Sequence, residues 1–262
     1  MIKKGGRKAQ VTLFVVIAIV LVAGVIFYFL LRNQVTRPAI SSEDAQKLLA
    51  AQIEPIKKYT TDCVAKTYKE CTEMIGYQGG YYHPAKFIPT GNYSLTYLVY
   101  KEGSNWVNDL PLLTTIERNI EECLTANIAE VNACINDFQK FREVMDIEKG
   151  TMSVRTASIE ECSITVDFTY PLTLKRSGAQ TSIEKMPFSV PVCLGQAYRT
   201  AVEITNSEVT TQGFDIDSYT VKNPMYIYIK RQGLPEGIFY YMETIPPTTG
   251  FEAYKFNFGI QR

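Results

Sequence analysis

At 262 residues, with 46% hydrophobic and 12% aromatic side chains, the chain is too apolar and ring-rich to remain disordered and is long enough to bury a real core. Its charges balance at 27 bases and 27 acids, but residues 1–31 hold four of the bases and no acid. Residues 32–262 are therefore mildly acidic and have no Lys/Arg run to form a basic face, which excludes a nucleic-acid partner.

The basic segment 1–10 carries Lys3, Lys4, Arg7 and Lys8. From Val11 to Leu31 no residue is charged, and a helix of that length spans ~30 Å. The sequence therefore predicts a transmembrane helix over 11–31 that contacts membrane lipid, with the N-terminus cytoplasmic and the C-terminal domain extracellular. The competing reading is a cleaved secretory signal, whose apolar core ends after about 7–15 residues; here the run continues through Phe27, Tyr28 and Phe29. A polar linker over 32–42, with Pro38, separates this anchor from the ectodomain.

The expected fold is α+β, with a helical part over 43–150 and an antiparallel β part over 151–262 that a helix crosses. Ser41 and Asp44 form a capping pair, and Pro55 starts or kinks a helix. Its apolar stripe is Ile56, Thr60, Cys63, Val64, Thr67, Cys71, Met74 and Ile75, closed by Gly76. A second helix starts at Thr114, with Leu112 and Leu113 ahead of it. It carries Ile116, Ile120, Cys123, Leu124, Ile128, Val131, Cys134, Ile135 and Phe138, breaks near Thr125–Asn127 and closes at Gly150.

Between the helices, nearly 40 residues show no helical period. The segment holds Tyr77, Tyr81, Tyr82, His83 and Trp106, which form either a binding surface for other surface proteins or a second copy, or a cover for the helix pair. Gly79-Gly80 suits a turn with positive φ, and Asn92-Tyr93-Ser94 is a glycosylation sequon.

After Gly150 the apolar period becomes two. Met152, Val154 and Thr156 alternate, as do Cys162, Ile164, Val166, Phe168 and Tyr170 up to Pro171. Ser177-Gly178 marks a hairpin turn, with Met186, Phe188, Val190 and Val192 on the return arm. A helix is expected over 194–209, followed by strands at 225–230, 237–242 and 251–258.

All six cysteines lie beyond the apolar stretch. Cys63 and Cys71 stand about 12 Å apart on one helix, and Cys123 and Cys134 about 16 Å apart on the other, so neither pair closes internally. Antiparallel packing of the two stripes pairs Cys63 with Cys134 and Cys71 with Cys123. Cys162 and Cys193 remain for a third bridge. A two-residue turn sets them opposite each other, whereas the register that pairs Ile164 with Val192 and Val166 with Val190 turns them to opposite faces. Only a bulge reconciles the two.

With His83 as the sole histidine and no Cys-x-x-Cys, no metal site is expected. No cofactor or nucleophile motif appears, and the adjacent acids Glu121-Glu122 and Glu160-Glu161 read as solvated helix surface and as a turn, so no catalytic residue is assigned. The expectation is a disulfide-stabilised structural or binding protein of the cell surface, ahead of an enzyme.

Residues 8–14 (Lys-Ala-Gln-Val-Thr-Leu-Phe) ahead of a long apolar helix resemble the N-terminal segment of archaeal type IV pilin-like proteins. Together with Gly-x-Gln-Gly-Gly-Tyr at 76–81, Tyr170-Pro171-Leu172 and Tyr254-x-Phe256-x-Phe258, they resemble uncharacterised single-pass surface proteins of small-genome archaea. The resemblance implies a surface location and, as an alternative role, a filament subunit processed between Ala9 and Gln10. Ala9 stands where glycine is commonest in such segments, and Phe14 where many carry glutamate.

Overall fold

The computed structural model describes residues 19–28, 41–91, 93–211, 213–223, 227–247 and 249–261. It is α+β, and the single-pass expectation is corrected by it: among the described residues no helix is long and apolar enough to cross a membrane. Of the 11–31 stretch only 19–28 is described, as helix. The rest of that stretch, segment 1–10 with Ala9 and Gln10, nearly all of the linker, and Asn92 lie outside the described residues.

Helix α1 runs from Ser42 to Tyr77. The Ser41 hydroxyl accepts from the Asp44 N–H at 3.1 Å, and Glu43 and Asp44 complement the helix N-terminus. Pro55 neither starts nor ends the helix. It is exposed, as is Ala51 one turn earlier, so the carbonyl it leaves without a donor faces solvent. The expected stripe is buried except for Met74, which is half-buried, and Tyr68 joins it. Thr60 and Thr72 sit in the stripe by donating their hydroxyls to Ile56 O and Tyr68 O.

Helices α2 (Leu113–Ala126) and α3 (Ile128–Ile135) form the second stripe, broken at Asn127. At the break the Asn127 backbone N–H and side-chain amide both donate to Cys123 O, at 3.0 and 2.9 Å. The helix does not continue to Gly150. Asn136, Asp137 and Phe138 all take left-handed φ, which inserts Phe138 fully into the core beside the ring of Tyr59. One further turn comes at Gln139–Arg142.

Residues 87–108, read from sequence as a helix-free connection, form β1 (Phe87–Pro89), β2 (Ser94–Glu102) and β3 (Asn105–Asn108). A second group comprises β4 (Asp146–Lys149), β5 (Ser153–Ile159), β6 (Ile164–Arg176), β7 (Ala179–Lys185) and β8 (Phe188–Val190). Then come α4 (Leu194–Thr210), α5 (Ile216–Lys222), β9 (Ile227–Leu234), β10 (Gly237–Thr244) and β11 (Lys255–Ile260). The expected single antiparallel sheet is two sheets. One has the order β1-β2-β11-β10-β9, with β3 also on β2, and its β2–β11 pair is parallel. The other is built on β6 and is antiparallel throughout.

The long hairpin explains how the turn and the apolar pattern coexist. Ser177 and Gly178 both have positive φ, as a tight two-residue turn requires, and Arg176 pairs with Ala179. Between Thr169 and Leu172 the register slips, after which Val166 faces Phe188 and Ile164 faces Val190. The slip runs opposite to the expected shift, yet it also sets apolar residues against each other. Pro171, expected to end the strand, sits in this irregularity, where its missing N–H costs no ladder bond.

Helix α1 ties the sheets together, packing on β6, β7 and β8 and, at its C-terminal end, on β11. Gly76 makes the last contact feasible: a Cβ there would collide with Lys255 O and the ring of Tyr254. Tyr254 is buried and donates its hydroxyl to Thr72 O at 2.8 Å. Helix α4 covers the other part of the first sheet, touching β2, β3, β10 and β11.

Burial drives the phenols of Tyr68 and Tyr254 well above the ordinary range and that of Tyr81 to about 12. Between about pH 10 and 12 the unfolded chain has lost these protons while the folded chain keeps them, so stability is intact below pH ~10 and falls above it. Urea midpoints should be level from about pH 8 to 9 and drop steeply by about pH 11; a level midpoint at pH ~11 would contradict the buried phenols.

Candidate functional site

The Gly-x-Gln-Gly-Gly-Tyr run is a structural junction. Gln78 is buried; its amide donates to Tyr81 O and Tyr82 O, and its side-chain oxygen accepts from Ser94 N at 3.1 Å. Gly79 and Gly80 have φ of 66° and 95°, and the carbonyl of Gly80 accepts from Asn119 on α2 at 2.8 Å. The run thus turns the chain from α1 toward β1 and leaves its polar groups satisfied.

The aromatic residues singled out from sequence do not converge on one pocket. Tyr77 stacks on Tyr93 at 5.0 Å and lines a shallow notch of about 240 Å³ with Glu73, Glu243, Ala253 and Lys255. Tyr81, Tyr82 and Trp106 are half-buried and pack on the main core. The Tyr81 hydroxyl donates to Asp109 O at 2.9 Å, and Lys101 Nζ sits 4.7 Å from the Trp106 ring centre. His83 is the exposed member, beside Tyr82 at 4.1 Å and 3.9 Å from Glu122. These rings cover the core, and His83 with the outer edges of Tyr82 and Trp106 is what they leave to solvent.

All six cysteines are bridged, as Cys63–Cys134, Cys71–Cys123 and Cys162–Cys193. The first two staple α1 to α3 and α2, with Cα separations of 5.7 and 5.8 Å. The third is not a cross-strand pair. Cys162 lies in the bend before β6, and Cys193 occupies the N-cap of α4. The bend is held there independently, through Gln196 N–H to Glu161 O at 3.0 Å and Arg199 to Glu161 at 2.8 Å.

Two clefts flank this bend, and sequence reasoning missed both. One, of about 330 Å³, is lined by Glu161, Gln196, Arg199, Thr200, Glu203, Tyr219 and Asn223. The other, of about 300 Å³, holds Leu113, Ile159, Tyr198 and Val202 beside the same Glu161 and Arg199. Helical spacing could have joined Arg199 to Glu203, but no local pattern ties Glu161 to Tyr219. At the floor of the first cleft the hydroxyls of Thr200 and Tyr219 are 2.9 Å apart, and burial raises the Tyr219 phenol. The lining offers hydrogen bonds and one ion pair, with no nucleophile set against a base.

Among the described residues no group of three His, Cys, Asp or Glu side chains is placed to hold a metal. No family model, curated protein or solved structure matches this chain.

Proposed function

We propose that this chain is a structural or binding protein of the cell surface, whose domain stands outside the cytoplasm and is held rigid by disulfides. The observation that carries the reading is the pairing of all six cysteines, two pairs of which staple the principal helices. Such bridges persist where thiols are oxidised and are rare where glutathione and thioredoxin keep them reduced. The clefts beside α4 and the His83 edge supply contact surface for another surface protein or a second copy, and neither presents reactive groups in catalytic geometry.

The test is accessibility in intact cells. A membrane-impermeant amine reagent should label lysines such as Lys58 and Lys101 without cell lysis; labelling only after lysis would overturn the proposal. The pilin-type alternative rests on residues 8–14, outside the described residues, and no feature of the described fold favours it.

A further inference from the structure

The three disulfides differ in how far a solvent thiol can reach them. Five of the six cysteines are at most 9% exposed, whereas Cys134, at the outer end of α3, is exposed. Thiol exchange begins with attack of a thiolate on a sulfur it can reach, so access separates the bridges. We propose that Cys63–Cys134 is a thiol-exchange site, opened at Cys134 by an external thiol while the fold persists.

In the first step the incoming thiolate sulfur bonds to Cys134 Sγ. The bond between Cys134 and Cys63 breaks, and its electron pair leaves on Cys63 Sγ, which takes a proton from water. A second thiolate then attacks the incoming sulfur in the mixed disulfide and releases Cys134, which is protonated in turn. The protein gains two electrons and two protons, and the external thiols are oxidised to a disulfide.

The fold persists because the open end of α3 has other ties to α1. The Tyr59 hydroxyl donates to Cys134 O at 2.8 Å and reaches Ile135 O at 3.2 Å. Phe138, fully buried, lies edge-on to the same ring at 6.5 Å. The buried Cys71–Cys123 bridge continues to join α1 to α2. These contacts keep the Cys63 and Cys134 positions together, so the bond can re-form when the thiol leaves. Cys162–Cys193 lacks such an entrance: Cys193 is fully buried, and the Gln196 amide lies 3.7 Å from Cys162 Sγ.

This inference rests on the proposed oxidised state of the protein. In the test, the untreated full chain is exposed to graded reduced glutathione, trapped by alkylation and mapped by peptide mass spectrometry. Cys134 should carry glutathione and Cys63 the alkyl group at a thiol concentration about tenfold below that which opens either other bridge. The far-ultraviolet circular dichroism should stay unchanged. Opening of either other bridge at an equal or lower concentration, or loss of helical signal with the first opening, would overturn the exchange proposal alone. Six alkylated cysteines before any glutathione is added would overturn the disulfide reading with it.

Discussion

A chain in which Cys63, Cys71, Cys123 and Cys134 are all replaced by alanine is expected to be largely unfolded at physiological temperature. Cys63–Cys134 closes a loop of 71 residues, and constraining the unfolded chain in that way contributes about 4 kcal/mol in the chain-entropy model. With that bridge formed, Cys71–Cys123 closes a shorter ring of roughly 20 residues and contributes about 3 kcal/mol more. A domain's net stability is only about 5–15 kcal/mol, so losing both removes most of it. Removing only the Cys63 and Cys134 pair should leave a folded domain that melts earlier, because the inner bridge still fixes the helix pair. Circular dichroism melts of the two variants distinguish the cases; a cooperative, unshifted melt for the fourfold variant would show that helix packing alone suffices.

The second large effect is expected at Gly76. In Gly76→Ala the added methyl meets the backbone carbonyl of Lys255 and the ring of Tyr254, neither of which can swing away. The carbonyl belongs to β11, in the interior of the first sheet, and the ring is pinned by its bond to Thr72 O. Relief requires α1 to move off β11, which places the cost at about 3 kcal/mol, the upper end of ordinary overpacking. Gly213→Ala is the control, since nothing stands within 4 Å of the added carbon, and it should change stability by less than about 0.5 kcal/mol. Equal urea midpoints for the two variants would contradict the close approach of helix and sheet.

Much of this fold could be read from local pattern because its causes are local. The stripe from Ile56 to Ile75, the break at Asn127, and the hairpin turn at Ser177-Gly178 each depend on residues within a few positions. The helical cysteine pairing came from reach, which bars either helix from bridging to itself, together with the expected antiparallel packing of the two stripes. The alkaline sensitivity of the buried phenols and the order in which the bridges open needed the packed structure.

The partner of β2 is the clearest case of what local pattern could not supply. Tyr97 and Val99 face Gly259 and Ile260 in parallel, a pairing set by the assembled core and not by any nearby turn. The same limit hid the clefts beside Glu161, where the bend before β6 and α4 meet α5 in one and α2 and β5 in the other. Helix α5 did have a local sign, an Asp215 cap that accepts from Ser218 N at 3.0 Å, but its seven residues are too few to show a period. For the apolar 11–31 stretch, composition alone pointed to a membrane span, while the described helix covers only residues 19–28.

The disulfide scaffold is tested most directly by digesting the full chain without reductant, after blocking free thiols, and identifying the linked peptides. The expected result is three links, Cys63 to Cys134, Cys71 to Cys123 and Cys162 to Cys193, with no blocked thiol. Recovery of blocked cysteines at these positions would contradict both the scaffold and the location outside the cytoplasm inferred from it, and Cys63 linked to Cys123 would contradict the antiparallel stapling of the helices.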